Sequence, residues 1–289
     1  MFSIPAVRTG HAGADAHGLA ELKNASYHGL QYGPVKLSNG VWEGPPFVEG
    51  GSARPRVGLV EDFRFSGDLK RDSKQDTVVI LWESSAGTGS HTYVAVMADD
   101  KEGIRNIDTA LIGDRVKLLD GKIEDGKILL KVLQAGENDA MCCPTMLATR
   151  SWSWRDGQLS ENETEMTGTL SLAVLEATKW TLTQMDRQAP VIQGAEITLA
   201  FGNGRVSGKS ACNRYSAAIE SEEGAGEIRL GPSMSTRMAC PESLMRVERR
   251  YLDRLSHVTR FSFDAGRLTL SGQDQDSNPF TMLFSQDFS

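Results

Sequence analysis

The alternation of apolar and polar residues predicts a chain built mostly of β-strands. Runs such as 56–67, 76–84 and 91–99 carry apolar residues at every second position or in short continuous stretches, and similar runs recur to the C-terminus. Turn-forming residues separate several of them, as at Asp156-Gly157, Gly202-Asn203-Gly204 and Ala265-Gly266. Residues 114–134 contain the sequence DGK twice, which favours a meander of hairpins.

One segment alone shows clear helical periodicity. Pro241 and Glu242 suit a helix start. Proline has no backbone N–H, but an N–H in the first turn would have no partner within the helix. The glutamate carboxylate is favourable near the positive N-terminal end of the helix dipole. The spacing predicts a helix after Pro241 with one apolar face, formed by Leu244, Val247, Tyr251, Leu255 and Val258.

The length and composition favour two domains. The 289 residues are long for one core, and the polar, acidic stretch 161–168 is typical of a connector. Residues 1–26 show no period and predict a loose leader. We therefore expect a mainly β (α+β) protein with an N-terminal β-rich domain at 27–168 and a second domain at 169–289.

Charge and hydropathy exclude some partners. A net charge of −7 argues against nucleic acid as the main partner, because phosphate binding requires a basic face. The apolar stretches are too short for a transmembrane segment. The N-terminus lacks a signal-peptide pattern. Either the protein is cytoplasmic, or a signal or lipid anchor preceded this sequence.

The glycine-rich stretch FGNGRVSGKS partly matches a phosphate-binding loop. Lys209 and Ser210 fit its end, but Asn203 stands where its first glycine belongs, and no helix is predicted after it. We therefore predict a hairpin turn at 202–204 and expect no cofactor.

The same region resembles the META/HslJ domain family. That family shows a W-x-L opening, a Cys-Asn-Arg stretch, a T-x-M-x-C stretch and a helix with an acidic residue. The resemblance covers about residues 174–286, and its motif residues here are Trp180, Leu182, Cys212, Asn213, Arg214, Thr236, Met238, Cys240 and Glu248.

The resemblance implies a cracked β-barrel closed by one helix. It also implies a bacterial envelope protein, often a lipoprotein, linked to stress or secretion, without any general chemistry. Ala211 departs from the family, where glycine is common at this position. We expect little consequence because we expect ordinary strand dihedrals there.

The N-terminal half resembles a domain of predicted periplasmic proteins in two short motifs. The first motif is the sequence GDL followed by an Asp-rich turn and a strand with the sequence VVIL, and the second is a later CCP. Both lie within residues 27–160. The aspartates Asp68, Asp72 and Asp76 occupy the first, fifth and ninth positions of a run that is similar to a calcium loop. Because Lys70 stands where a ligand is needed and no glutamate closes the loop, a polar turn without metal is favoured.

The four cysteines leave alternatives open. Cys142 and Cys143 are adjacent, which strains a mutual disulfide and misses the CxxC spacing of redox or zinc sites; we favour structural thiols over a reactive dithiol. Cys212 and Cys240 could form a disulfide if their strands are neighbours, or remain buried thiols.

No catalytic constellation is visible, and the sequence leaves open only a Ser-His-Asp triad, whose members can lie far apart along the chain. There is no HExxH motif and no nucleophile elbow. For Asn213, Arg214 and Glu248 we expect a structural hydrogen-bonding role. We therefore predict a non-enzymatic, periplasmic or outer-membrane-associated protein with a structural, binding or assembly role toward a protein or lipid partner. The alternatives are a lipid or small-molecule binding protein, and a thiol enzyme using Cys142 or Cys143.

Overall fold

A computed structural model describes residues 17–84, 90–100, 103–137, 139, 143–186, 195–221 and 224–286. The chain divides into two compact units between Gly168 and Thr169. Among the described residues, no helix combines the length and the apolar composition needed to cross a membrane.

The described residues of the N-terminal unit form three antiparallel sheets and one short helix. A two-stranded sheet pairs β1 with β2, a five-stranded sheet has the order β3-β4-β5-β6-β7, and another has the order β11-β10-β9-β8 with β12 beside β10. The elements are α1 Leu19–Leu22, β1 Ser26–Tyr27, β2 Val35–Lys36, β3 Val41–Glu43, β4 Arg56–Gly67, β5 Asp76–Ser84, β6 His91–Asp100, β7 Gly103–Asp114, β8 Lys117–Glu124, β9 Lys127–Gln134, β10 Met146–Arg155, β11 Gln158–Glu161 and β12 Glu165–Thr169.

The predicted loose leader is wrong for the described residues of that segment. Helix α1 buries Leu22 completely, and the Tyr27 hydroxyl donates a hydrogen bond to the Leu22 carbonyl at 2.9 Å. Both side chains pack with Val79 and Leu81 of β5 in one hydrophobic core. A four-residue helix is too short for its periodicity to be visible in the sequence. Residues 1–16 lie outside the described part.

The two DGK sequences have different structures. Asp125 and Gly126 adopt positive φ and form the turn between β8 and β9, as predicted. The first DGK, however, lies inside β8. A Cβ atom on Gly121 would lie 2.4 Å from the Phe65 ring, so this glycine serves close packing of β4 on β8 and not a turn.

In the part of the C-terminal unit that the structure describes, nine strands form a nearly closed sheet with one α-helix. Its order is β17-β16-β15-β14-β13-β21-β20-β19, with β18 beside β16. A bridge between Glu227 and Arg260 joins the two ends of this order. The elements are the 3₁₀ helix Leu172–Leu175, β13 Lys179–Met185, β14 Thr198–Gly202, β15 Arg205–Lys209, β16 Arg214–Ser221, β17 Arg229–Leu230, β18 Met234–Ser235, α2 Glu242–Ser256, β19 Val258–Asp264, β20 Arg267–Gln273 and β21 Pro279–Gln286.

The predicted fold class is confirmed for this unit. Helix α2 buries Val247, Tyr251 and Leu255, in agreement with the predicted apolar face. Val258 was assigned to the helix wrongly, because the chain turns at His257 and Val258 begins β19. The hairpin predicted at residues 202–204 joins β14 to β15, and Asn203 adopts a positive φ.

Candidate functional site

The turn at residues 210–213 brings the family motif together with helix α2. The Ser210 amide donates to the Asn213 carbonyl at 2.7 Å, which closes the turn between β15 and β16. Ala211 has a φ of 77°, so the expectation of ordinary strand dihedrals at this position is wrong. The turn directs Ser210 and Asn213 toward Glu248 of α2.

The Glu248 carboxylate accepts hydrogen bonds from both sides of this turn. Its Oε2 accepts from the Ser210 hydroxyl at 2.8 Å and from the backbone N–H of Asn213 at 2.7 Å. Its Oε1 accepts from the side-chain Nδ2 of Asn213 at 2.9 Å. Burial alone would raise the pKa of this carboxyl, but the hydrogen bonds from Asn213, Ser210 and the Cys212 backbone outweigh burial and lower the pKa. The carboxylate is therefore held in its charged form by the fold.

A third segment, which leads from β18 to α2, joins the same network. Asn213 Oδ1 accepts from the Thr236 hydroxyl at 2.8 Å and from the Met238 amide at 2.7 Å. The Thr236 oxygen in turn accepts from the Arg214 amide at 3.1 Å. We refer to Ser210, Asn213, Thr236 and Glu248 as the clasp, because these four side chains tie a turn, a loop and a helix to one another.

A disulfide reinforces the clasp. Cys212 and Cys240 are bonded, with their Cα atoms 6.1 Å apart and 28 positions apart in sequence. Of the two structures that the sequence left open for this pair, the bonded one is therefore present. A further link between helix and sheet is the 2.6 Å hydrogen bond between the hydroxyls of Tyr251 and Tyr215, both of which are buried.

Trp180, the opening residue of the motif, lies away from the clasp in the core. It is 1% exposed, and its indole Nε1 donates to the Thr178 hydroxyl at 2.7 Å. Its ring contacts Phe263 at a centroid distance of 6.2 Å. A buried indole with a satisfied donor stabilises the unit and offers nothing to a ligand.

An open cleft of about 760 Å³ lies beside the clasp on the outer surface of β13 to β16. Met238 and Arg214, which follow clasp residues in the chain, lie on its border. Its other charged residues are Lys179, Lys209 and Glu196. This volume is within the range typical of small-molecule sites.

Sequence reasoning singled out Arg214 and Met238 and considered Lys209 only as part of a phosphate-binding loop, but it missed Lys179 and the cleft itself. Lys179 and Arg214 are 35 positions apart, and only the strand order β13-β14-β15-β16 brings them to one surface. The signal in the sequence was weak: polar or small residues alternate with buried ones along β14 and β15. That alternation marks an outward face but does not show that the face is concave.

The aspartates of the possible calcium loop bind protein groups instead of converging on one point. Asp68 accepts from the amides of Asp72 and Ser73 at 3.0 and 2.9 Å. The buried Asp76 accepts from the Lys70 amide and forms a 2.8 Å ion pair with the Lys70 ammonium. Among the described residues, no cluster of potential ligands could hold a metal ion.

The adjacent cysteines are only partly described. Cys143 is disulfide-bonded, and Cys142 lies outside the described residues. Cys143 therefore has no free thiol for nucleophilic chemistry in this structure.

Two of the arginines of helix α2, Arg250 and Arg254, are engaged in structural contacts. Arg250 and Arg254 both pair with Asp186, at 2.6 and 3.4 Å. Arg254 also contacts Asp274 at 3.2 Å and lies 5.1 Å from the centre of the Phe280 ring. These two residues fix the helix to the sheet, so they do not form a free basic surface.

Comparison with known families places the clasp and the cleft in one domain. The META domain model matches residues 173–283, in agreement with the resemblance found in the sequence. The C-terminal unit of this chain is thus similar to a META domain. Every clasp residue lies within the matched range.

Two solved structures are similar to part of the chain. A protein from Burkholderia xenovorans, solved by NMR, shares 26% identity over 40% of this chain and 86% of its own, with a TM-score of 0.32. A second NMR structure shares 20% identity over 39% of this chain and 94% of its own, with a TM-score of 0.31. No curated protein matches the chain.

Proposed function

We propose that this protein is a non-catalytic binding protein of the bacterial envelope. The observation that carries the proposal is the clasp, in which the polar groups of the META motif bind one another. Asn213 uses its side-chain oxygen twice and its nitrogen once within the clasp, and both oxygens of Glu248 are occupied by protein donors. A catalytic group has to reach a substrate, whereas these groups stabilise the fold.

The disulfides support an envelope location. Cys212 and Cys240 are bonded, and so is Cys143. Structural disulfides persist in oxidising compartments such as the periplasm and are rare in the reducing cytosol. Location is tested by cell fractionation with rapid alkylation of free thiols. The protein is expected in the periplasmic or outer-membrane fraction with Cys212 and Cys240 blocked from alkylation, and a cytosolic protein with alkylated thiols would contradict the proposal.

Binding without catalysis is tested by native mass spectrometry on protein purified from the envelope. A binding protein is expected to retain a stoichiometric, non-covalent mass that is released chemically unchanged. The released compound is then incubated for hours with fresh protein. The proposal would be overturned if the protein converted that compound and if one polar substitution, such as Glu248→Gln, abolished the conversion in a protein that still folds. That result would show an enzyme.

We further propose a role in envelope stress or secretion, supported by what the family resemblance implies. A strain lacking the gene is expected to tolerate envelope-damaging agents less well or to secrete less protein. The wild-type gene, but not one encoding a variant that cannot bind, is expected to restore the phenotype. An unaltered deletion strain under both conditions would contradict this role while leaving the binding proposal intact.

A further inference from the structure

The cleft beside the clasp has a floor of small residues. Lys179 pairs in register with Ala200, and Ala200 pairs with Ser207, so these positions form one row across three strands. Ala200 and Ser207 have short side chains, and Gly208 has none. A Cβ atom on Gly208 would lie 2.0 Å from the Thr198 carbonyl oxygen, so the close approach of the two strands requires glycine here. A ligand can therefore approach the backbone of the sheet.

The border of the cleft is rich in positive charge. Lys209 pairs with Glu196 at 2.9 Å. Lys179 and Arg214 are exposed, and neither side chain has an ion pair or hydrogen bond within the part of the chain that the structure describes. Their strands, β13 and β16, are separated by three strand spacings, about 14 Å. Two uncompensated cations thus face the cleft from opposite sides, in a protein whose net charge is −7.

An exposed methionine adds an apolar surface at the same border. The Met238 side chain is 56% exposed. Its position is nevertheless fixed, because its amide donates to Asn213 and the disulfide at Cys240 follows two residues later. An exposed, flexible thioether adapts to apolar groups of varied shape. The fold therefore presents an apolar contact next to Arg214.

We propose that this cleft binds an anionic amphiphile, a molecule with a phosphate or carboxylate group and an alkyl portion. The anionic group pairs with Lys179 and Arg214, and the alkyl portion lies on Ala200 and Met238. The charge excludes cationic ligands, and the apolar contacts favour an amphiphile over a simple inorganic anion. This inference rests on the proposed binding function and specifies its ligand class.

The probe for this inference is octyl phosphate, titrated below its micelle concentration by calorimetry into the full chain. The variant K179Q/R214Q is expected to bind at least about tenfold more weakly, because it lacks two charge-assisted contacts. The variant R229Q is the matched control, because Arg229 is an exposed cation of the same unit that does not border the cleft. Its affinity is expected to equal that of the wild type.

Two comparisons make the result specific to the ligand class. Octanol and octyltrimethylammonium are expected to bind far more weakly than octyl phosphate, and added salt is expected to weaken octyl phosphate binding. The variant Ala200→Glu, which fills the floor with a negative charge, provides a second disruption, and the thermal transition of each variant verifies its folding. Absence of binding by the wild type, or equal binding by K179Q/R214Q, would refute the proposal.

Vesicles distinguish a lipid from a free amphiphile as the source of the anion. Co-sedimentation with phosphatidylglycerol vesicles but not phosphatidylcholine vesicles, lost in K179Q/R214Q, would support a lipid head group. Binding of octyl phosphate without co-sedimentation would support a free amphiphile. If native mass spectrometry finds a retained ligand that K179Q/R214Q keeps, the binding function stands and the cleft proposal fails.

Discussion

At the scale of single residues, Ala211 is the most strained position of the clasp region. Its φ of 77° lies in the left-handed region, which costs an L-residue about 1–2 kcal/mol and glycine almost nothing. The variant Ala211→Gly is expected to gain about 0.5–1 kcal/mol of stability after the larger entropy of its unfolded chain is subtracted. Thermal or urea unfolding monitored by circular dichroism measures the gain.

The control for Ala211→Gly is Ala218→Gly, in strand β16 with ordinary extended backbone. There glycine offers no relief of strain and increases the entropy of the unfolded chain, so this variant is expected to be less stable than the wild type. A loss of stability in both variants would show that the positive φ at residue 211 is not strained.

Glu248 is expected to make the C-terminal unit sensitive to acid. The pKa of the Glu248 carboxyl is lowered in the folded protein. Its contribution to the free energy of unfolding is therefore complete above the pKa that this carboxyl has in the unfolded chain, and it is lost as the pH falls through the pKa in the folded state. Glu248→Gln is expected to cost about 1–3 kcal/mol at pH 7. The stability difference between wild type and variant, measured by urea unfolding, is expected to shrink below about pH 4.5.

Glu242→Gln is the control for this titration, because Glu242 is on the same helix but its side chain is 67% exposed in a surface ion pair. Because Glu242 also lies near the positive end of the helix, this substitution is expected to cost at most about 1 kcal/mol, less than Glu248→Gln at pH 7. A constant difference between Glu248→Gln and wild type from pH 7 to pH 3 would contradict the assigned role of the carboxylate.

The clasp shows which residue-level features a sequence reveals. The motif identified Asn213 and Glu248, and their polar character suggested hydrogen bonding. Ser210 was considered only as the end of a phosphate-binding loop, because its role in the clasp depends on the turn that directs its hydroxyl toward α2. The φ of Ala211 was also hidden, because the hydrogen bond from the Ser210 amide to the Asn213 carbonyl determines it.

At the scale of elements, the disulfide fixes the segment before α2 to the turn before β16. Cys212 and Cys240 are 28 positions apart, and closing a loop of this length lowers the entropy of the unfolded chain by an amount worth about 3–4 kcal/mol. The double variant C212S/C240S is expected to lose stability of that order in urea unfolding. Adding reductant is expected to destabilise the C-terminal unit of the wild type but not that of the double variant.

A double variant as stable as the wild type would mean that the clasp alone holds the helix. The two contributions are separable by combining C212S/C240S with Glu248→Gln. Because the residues share one local structure, we expect the combined loss to differ from the sum of the separate losses.

Elements were predictable where one local signal dominated. The apolar face of α2 defined the helix, and Asn203-Gly204 defined a hairpin. The turn predicted at the first DGK was wrong, because Gly121 is glycine to make room for the Phe65 ring. These two residues are 56 positions apart in sequence. No local pattern carries that information, and the same holds for the short helix α1.

At the scale of the whole molecule, the sequence predicted the class but not the order of strands. The pairing of β13 with β21, which joins the beginning and the end of the C-terminal unit, links residues about a hundred positions apart, as in Thr181 with Ser285. The cleft follows from this order, so it could not be foreseen. Its small floor residues and exposed cations form one site only because β13 to β16 are neighbours in the sheet.

The arrangement of the C-terminal unit predicts that residues 169–289 fold without the rest of the chain. This unit has its own core, a nearly closed sheet and an internal disulfide. Trp180 is its only tryptophan and is 1% exposed, so its fluorescence reports on the core without interference. The fragment is expected to show a cooperative urea transition by fluorescence that coincides with the transition by circular dichroism. The fragment with Trp180→Phe is the control for fluorescence that does not come from tryptophan. A gradual, non-cooperative transition of the unsubstituted fragment would show that the core needs residues from the N-terminal unit.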